Sequence, residues 1–141
     1  MVELENSLVP KLSNYIKFWK RFVDDTFTFA KIEAIDHILS VLNSFDPNIQ
    51  FTYEKEENSK LPFLDIMLCR KDDKLVSSVY RKSTNNDIYM NWHSFAPKTW
   101  KRGTLKSLTE RAFLICSTEK LLNEELKYLE KVFHEINQIP K

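Results

Sequence analysis

Glycine is almost absent from this sequence, where Gly103 is the only one among 141 residues. Phosphate-cradling loops such as the P-loop and the dinucleotide-binding turn need several glycines, because the backbone must approach the phosphates closely. Nucleotide binding of those types is therefore excluded. Cysteine is also scarce, and Cys69 and Cys116 lack the spacing of metal ligands. We expect two reduced, mostly buried thiols.

Long apolar runs are missing as well. No stretch approaches the roughly 20 apolar residues that cross a bilayer, so no membrane partner is expected. The first five residues are acidic and amphipathic and do not resemble a signal peptide. This predicts an intracellular protein, nuclear or cytoplasmic, that is not secreted. Hydrophobic residues make up 43% of the chain, enough for one compact domain or a piece of a larger one.

Charge is unevenly distributed along the chain, although the net charge is only +1. Between Arg70 and Arg111 there are ten basic and four acidic residues, so this stretch carries +6 and the remainder −5. A basic segment can bind a polyanion. An ordinary solvated surface has the same composition, so charge alone leaves both interpretations open.

Hydrophobic spacing predicts an α+β fold with a helical C-terminal third. Residues 85–97 are polar and aromatic and are expected to be irregular, and Ser117-Thr118 is expected to cap the last helix. The predicted elements are a helix over residues 1–13, a hairpin formed by residues 15–23 and 26–29, a helix over 31–45, a strand over 49–53, a second hairpin formed by 61–68 and 75–80, and helices over 104–116 and from 119 onward.

Asp24-Asp25 lies at the tip of the first predicted hairpin, between apolar and aromatic flanks. Two adjacent carboxylates in apolar surroundings are costly unless a cation compensates them. Clustered carboxylates are also what a two-metal phosphoryl-transfer site needs to hold its Mg²⁺ ions. Asp72-Asp73 has charged flanks instead and predicts a solvated turn. Because aspartate favours turns for local reasons, a turn without metal is the alternative for Asp24-Asp25 too.

Residues 19–27 around this pair resemble the aromatic-x-Asp-Asp motif C of reverse transcriptases, in the form found in Penelope-like retroelements. The resemblance continues in the expected order through residues 47–52, 61–66, 78–84 and 101–103, and so covers nearly the whole chain. It implies a partial polymerase palm over residues 1–84, with the motif C hairpin, a helix, a strand and a second hairpin. Residues 85–141 correspond to a helical thumb-like region.

The resemblance also implies roles for individual residues. Asp24 is the direct ligand of a two-Mg²⁺ site and Asp25 its more peripheral partner, while Phe22 stands near the primer where many relatives have tyrosine. The implied partners are dNTP, in the intact enzyme, and an RNA/DNA primer–template duplex gripped by the thumb. The residues implied to bind nucleic acid are Phe22, Arg81, Lys82, Lys98, Lys101, Arg102, Lys106 and Arg111.

Parts of the resembled enzymes have no counterpart in this sequence. No match to the motif with the family's other metal-binding aspartate precedes Tyr15, and the fingers and the GIY-YIG endonuclease domain lack counterparts too. We therefore expect a piece of an RNA-directed DNA polymerase, a nucleotidyltransferase of a retrotransposon, that is inactive alone. The alternative is a non-catalytic nucleic-acid-binding or interaction module derived from such a polymerase. Self-association through exposed apolar faces is a further possibility.

For the other candidate residues, a structural or merely solvated role is the alternative to a functional one. Asp65 could be a second carboxylate of a nuclease site, but a structural role at a strand edge is favoured. His93 has no partner at ligand spacing. Lys55 or Lys60 could protonate a leaving pyrophosphate, as the resemblance implies, although loop lysines are usually only solvated.

Overall fold

The computed structural model describes residues 2–139, which form two compact units. Residues up to Lys55 make the first unit, and residues from Glu56 onward make the second. Within the described residues the fold is α+β, with two small antiparallel sheets and four α-helices, as predicted. The boundary expected at residue 84 falls inside the second unit. Over the same residues, no helix has the length and apolarity needed to cross a bilayer.

The first unit packs two helices beside one hairpin. Helix α1 (Val2–Leu8) leads through a short 3-10 turn into strands β1 (Ile16–Phe22) and β2 (Asp25–Ala30), and α2 (Ile35–Asn43) follows. The apolar residues of α1 and α2 recur about every four positions, so each helix buries one face. The resulting core contains Leu4, Leu8, Leu12, Ile16, Ala34, Ile38 and Leu42.

A polar contact fastens β1 to α1. Oε1 of Glu5 accepts hydrogen bonds from Nε of Arg21 (2.8 Å) and Nε1 of Trp19 (3.0 Å). The bond from Arg21, and then the bond from Trp19, lowers the pKa of Glu5. On the hairpin, Phe18 and Phe29 pair across the strands and contact each other as tilted rings.

The strand predicted over residues 49–53 is wrong, since this segment has no regular structure. The backbone hydrogen bonds of Phe51, in the middle of the segment, are made with a side chain instead. The backbone N–H of Phe51 donates to Oδ1 of Asn43 (2.6 Å), and Nδ2 of Asn43 donates to the carbonyl of Phe51 (3.2 Å). The side-chain amide of Asn43 thus takes the place of a neighbouring strand for the N–H and the carbonyl of Phe51. The alternating apolar residues here therefore do not form a β-ladder.

The second unit begins with a three-stranded meander of β3 (Lys60–Phe63), β4 (Ile66–Lys71) and β5 (Lys74–Val79), in that order. The hairpin between β4 and β5 confirms the turn expected at Asp72-Asp73, where both residues have positive φ (48° and 59°). The strand predicted over residues 61–68 is instead broken by a tight turn at Leu64, whose φ is 54°.

Two helices complete the second unit. Helix α3 (Lys98–Ile115) begins six residues before the predicted start, because Pro97 suits a helix start, where no N–H partner is needed. Helix α4 (Glu119–Lys131) has the expected cap, with Oγ1 of Thr118 accepting from the N–H of Leu121 (3.3 Å). A π-helical turn (Val132–Ile136) then shifts the apolar stripe. Val132 is buried, whereas Ile136, which α-helical spacing from Leu129 would place on the buried face, is 43% exposed.

Candidate metal and nucleic-acid sites

The register of the first hairpin fixes where the two aspartates lie. Phe22 pairs with Asp25 across the strands, so the two-residue turn consists of Val23 and Asp24. The sequence placed Asp24-Asp25 at the tip; the tip is one residue earlier, and Asp25 opens β2. The β1–β2 ladder thus holds Asp25 by backbone pairing, while Asp24 occupies the second position of the turn.

Val23 has an unusual backbone conformation. Its φ is 56°, a region that is disfavoured for residues with a Cβ and a clear outlier for β-branched ones. Positive φ at only the first turn position is the φ pattern of a type II′ hairpin, which normally has glycine there. Strain of this kind persists only where the surrounding structure or the function requires it. Here it directly precedes Asp24.

Both carboxylates are exposed to solvent. Their apolar neighbours are exposed too, since Phe22 is 59% and Val23 69% accessible. The sequence predicted that Asp24-Asp25 lies in apolar surroundings that make a bound cation necessary. That prediction is wrong, because the turn end of the hairpin is solvated and Ile16, at the opposite end of β1, is the hairpin's buried core residue. The metal-ligand role of Asp24 and Asp25 stays a prediction that rests on the turn and on the motif.

The chemistry of the pair suits Mg²⁺ only as part of a ligand set. Two hard carboxylate oxygens can hold Mg²⁺ when substrate phosphates and other groups complete its coordination. Among residues 2–139 no cluster of three or more His, Cys, Asp or Glu side chains could hold a metal ion. Asp65 bonds instead to Arg111, with 3.3 Å between Oδ2 and Nη1, as expected for a structural role. His93, Lys55 and Lys60 are exposed.

Two residues predicted to bind nucleic acid are engaged within the second unit. Arg81 forms a two-pronged ion pair with Glu125 and lies over the ring of Tyr128, 4.2 Å from its centroid. Burial acts to lower the pKa of Arg81, but the hydrogen bonds and charge of Glu125 outweigh it, and the pKa is raised. The guanidinium of Arg81 therefore stays charged and paired with Glu125.

Lys101 is the second engaged residue. It is only 6% exposed, and its Nζ donates to the carbonyls of Trp92 (2.5 Å) and Ser94 (2.6 Å). A buried ammonium needs such acceptors, and these two close the loop before α3 onto the helix. Lys101 therefore fixes the loop in this structure and does not offer its charge to a phosphate.

The remaining predicted basic residues lie at the surface. Arg111 is half-buried beside Asp65, and Lys106 forms an exposed pair with Glu110 (3.6 Å). Lys82, Lys98 and Arg102 are exposed, and no ion pair joins them to another described residue. Trp100 and Phe95 are also exposed. Exposed basic and aromatic side chains therefore occur together around the start of α3, and their nucleic-acid-binding role stays a prediction.

Two buried polar residues of the second unit, Asp87 and Asn137, were not predicted from the sequence. Asp87 accepts from Nδ2 of Asn85 (3.0 Å) and from the hydroxyl of Tyr128, and lies 3.6 Å from Arg81. Asn137, 2% exposed, bonds through its side chain to the backbone of Asp87, Tyr89 and Val132. No local pattern marks these residues, because the bonds that join Asp87 to Tyr128 and Asn137 to Tyr89 span more than 40 positions.

The second unit is similar in part to a known family. A family model described as an animal helix-turn-helix domain matches residues 88–137. The matched segment contains α3, the short connection 116–118 and α4, and it ends at the buried Asn137. No curated protein and no solved structure matches this chain significantly.

Proposed function

We propose that this chain is part of a reverse transcriptase core, of the kind found in Penelope-like retroelements, and contributes to RNA-directed DNA synthesis. The observation that carries the proposal is the strained Val23-Asp24 turn followed at once by Asp25. Backbone strain of this kind clusters at functional sites, and at Val23, unlike at Leu64, it precedes two adjacent carboxylates. The paired strands β1 and β2 hold Asp25 in the ladder and fix both ends of the turn that contains Asp24, and a metal site requires such rigid support.

Asp24 is the direct ligand of the metal site in this proposal, and Asp25 is peripheral. Asp24 stands in the two-residue turn and Asp25 at the start of β2, so we do not expect the two carboxylates to face one metal equally. When bound, two Mg²⁺ ions activate the primer 3′-hydroxyl and stabilise the leaving pyrophosphate. Asp24 supplies hard oxygen ligands, and another carboxylate of the intact enzyme completes the site. The chain is therefore inactive alone.

The rest of the chain has a role in binding in this proposal. Residues 1–84 belong to the palm, and residues 85–141 form the thumb-like part that holds the RNA/DNA primer–template duplex. Support comes from the similarity of residues 88–137 to helix-turn-helix domains, a motif that commonly contacts nucleic acid. Exposed Lys98, Arg102 and Lys106 on α3 can neutralise phosphates.

The second candidate is a non-catalytic nucleic-acid-binding module. The helix-turn-helix similarity favours it, since this similarity bears on binding and not on polymerisation. Binding would then need α3 and its neighbours but neither Asp24 nor Asp25. The two candidates differ in whether the aspartate turn matters.

Primer extension with Mg²⁺ and dNTPs tests the proposal. The chain is assayed alone and joined to the fingers and first half of the palm from a Penelope-like enzyme, which supply the other aspartate. We expect extension only by the joined protein, loss of extension with Asp24→Asn, a smaller loss with Asp25→Asn, and unchanged duplex binding. Asp72→Asn, at an exposed aspartate turn of the second unit, is the matched control.

Equal extension by the Asp24→Asn variant would show that the metal assignment is wrong. A joined protein that binds duplex but never extends a primer supports the second candidate. Absence of salt-dependent duplex binding by the wild-type chain would contradict both candidates, because phosphate contacts make affinity fall as salt rises.

A further inference from the structure

Gly103 lies in the interior of α3, where glycine destabilises a helix relative to alanine. Its φ is not positive, so the backbone conformation does not require glycine. A Cβ built at this position meets no atom of the described residues within 4 Å, so packing does not require it either. The only glycine of the chain thus has no explanation inside the described protein, and a close approach by something outside would supply one.

The residues around Gly103 form one exposed surface. Positions three and four residues away lie on the same side of a helix, and here they are Thr99, Trp100, Lys106 and Ser107, all exposed. We call these four residues and Gly103 the Gly103 face. It contains one cation, two hydroxyl groups and an aromatic ring around a bare stretch of helix backbone. Such groups bind the phosphates and sugars of nucleic acids.

Charge separates α3 from α4. Helix α3 contains five basic residues and one acidic residue, whereas α4 contains three basic and four acidic ones. In DNA-binding helix-turn-helix domains the second helix usually enters the major groove. Setting aside Lys101, which is buried, and Glu125, which is paired with Arg81, leaves four basic and one acidic residue on α3 against three basic and three acidic residues on α4. The second helix, α4, therefore offers no net positive charge to a polyanion, while α3 would attract one.

We propose that the Gly103 face of α3, and not α4, is the surface against which the sugar–phosphate backbone of a nucleic-acid duplex packs. This inference rests on the nucleic-acid binding proposed above and specifies its surface. The missing side chain at Gly103 lets the strand approach the helix closely, Lys106 neutralises a phosphate, and Thr99 and Ser107 donate hydrogen bonds. Contacts of this kind fix position on the duplex without reading its sequence.

Duplex binding over a range of salt concentrations, with the full chain and an RNA–DNA duplex, tests the surface. Gly103→Gln adds a neutral side chain that favours helix. We expect it to weaken binding about tenfold, roughly 1.4 kcal/mol, with no loss of thermal stability. Lys106→Gln should reduce the slope of log affinity against log salt by about 1. Duplexes of different sequence should respond alike.

The chain offers matched controls on α4. Lys131 forms an exposed i, i+4 pair with Glu135 (3.8 Å) that resembles the pair between Lys106 and Glu110. Lys131→Gln therefore controls for the loss of such a pair. Asn123 is exposed on the same helix, so Asn123→Gln controls for glutamine on a helix surface. Both controls should bind like the wild type.

Three outcomes would overturn the inference. If the wild type binds duplex and the Gly103→Gln and Lys106→Gln variants bind equally well, the surface is wrong while the proposed function stands. If Lys131→Gln weakens binding instead, the duplex lies on α4. If the wild type binds no duplex at any salt concentration but binds phosphatidylserine vesicles through Lys106, the partner is an anionic membrane, and the proposed duplex binding fails too.

Discussion

The side-chain amide of Asn137 donates a 3.1 Å hydrogen bond to the carbonyl oxygen of Asp87, fifty positions earlier in the sequence. The same side chain accepts from the N–H of Tyr89 (3.0 Å), and the carbonyl of Asn137 accepts from the N–H of Trp92 (3.0 Å). Asn137 thereby holds the irregular segment before α3 against the end of the last helix. The stability of the second unit depends on contacts of this kind as well as on apolar burial.

Asn137→Ala should destabilise the second unit strongly. It leaves the N–H of Tyr89 and the carbonyl of Asp87 buried without partners, and each such loss costs about 1–3 kcal/mol. Urea unfolding followed by circular dichroism should therefore show a fall of about 3 kcal/mol in the free energy of unfolding. Asn123→Ala, on the exposed face of α4, is the control and should stay within about 0.5 kcal/mol.

Glu125→Gln should be far more damaging than Glu110→Gln. Glu125 neutralises Arg81 where both side chains are mostly buried, at 11% and 17% exposure. Glu125→Gln leaves Arg81 poorly solvated, with Asp87 at 3.6 Å as its remaining charged neighbour among the described residues, and breaking such a pair costs about 3 kcal/mol. Glu110 pairs with Lys106 in the open, and its loss should cost no more than about 0.5 kcal/mol. Equal effects in chemical unfolding would show that Arg81 is better solvated than its surroundings indicate.

Tyr128 should make the stability of the second unit depend on alkaline pH. The hydrogen bond to Asp87, and then burial, raises the pKa of Tyr128 to about 12, above the value near 10 of an unfolded tyrosine. Folding therefore favours the protonated phenol. This contribution is complete below pH 10 and is lost as pH rises towards 12. Unfolding across this range should show a decline that Tyr128→Phe removes; an identical decline in the variant would assign it to other groups.

Val23→Gly should stabilise the first unit. Glycine adopts positive φ freely, whereas a residue with a Cβ pays about 1–2 kcal/mol there. We expect a gain of about 1 kcal/mol, less the greater chain entropy of unfolded glycine, measured as a higher melting temperature. Val23→Ala keeps the Cβ and should not produce the gain. If Val23→Gly lowers the melting temperature instead, the side chain of Val23 stabilises the hairpin more than its backbone strain costs.

The sequence by itself determined the elements whose signals are local. Alternating aromatic and β-branched residues predict β1 and β2, helical spacing predicts α1, α2 and α4, and Thr118 caps α4 as expected. The signal failed where a distant or irregular partner intervened. Asn43 satisfies the backbone of Phe51 in place of a neighbouring strand, and the π-helical turn after Lys131 rotates Ile136 out of the buried face.

Only the tertiary structure decided which charged residues are available to a partner. Lys101 and Arg102 are adjacent and carry the same charge, yet Lys101 is buried against two loop carbonyls and Arg102 is exposed. Adjacent residues differ by roughly 100° around a helix, and without apolar spacing in this turn the sequence cannot tell which side faces inward. Asp24 and Asp25 were likewise visible in the sequence as a motif. The strand register, however, places Asp24 in the turn and Asp25 in the ladder. Register depends on which residues of β1 and β2 pair with each other, and this is not encoded in either strand alone.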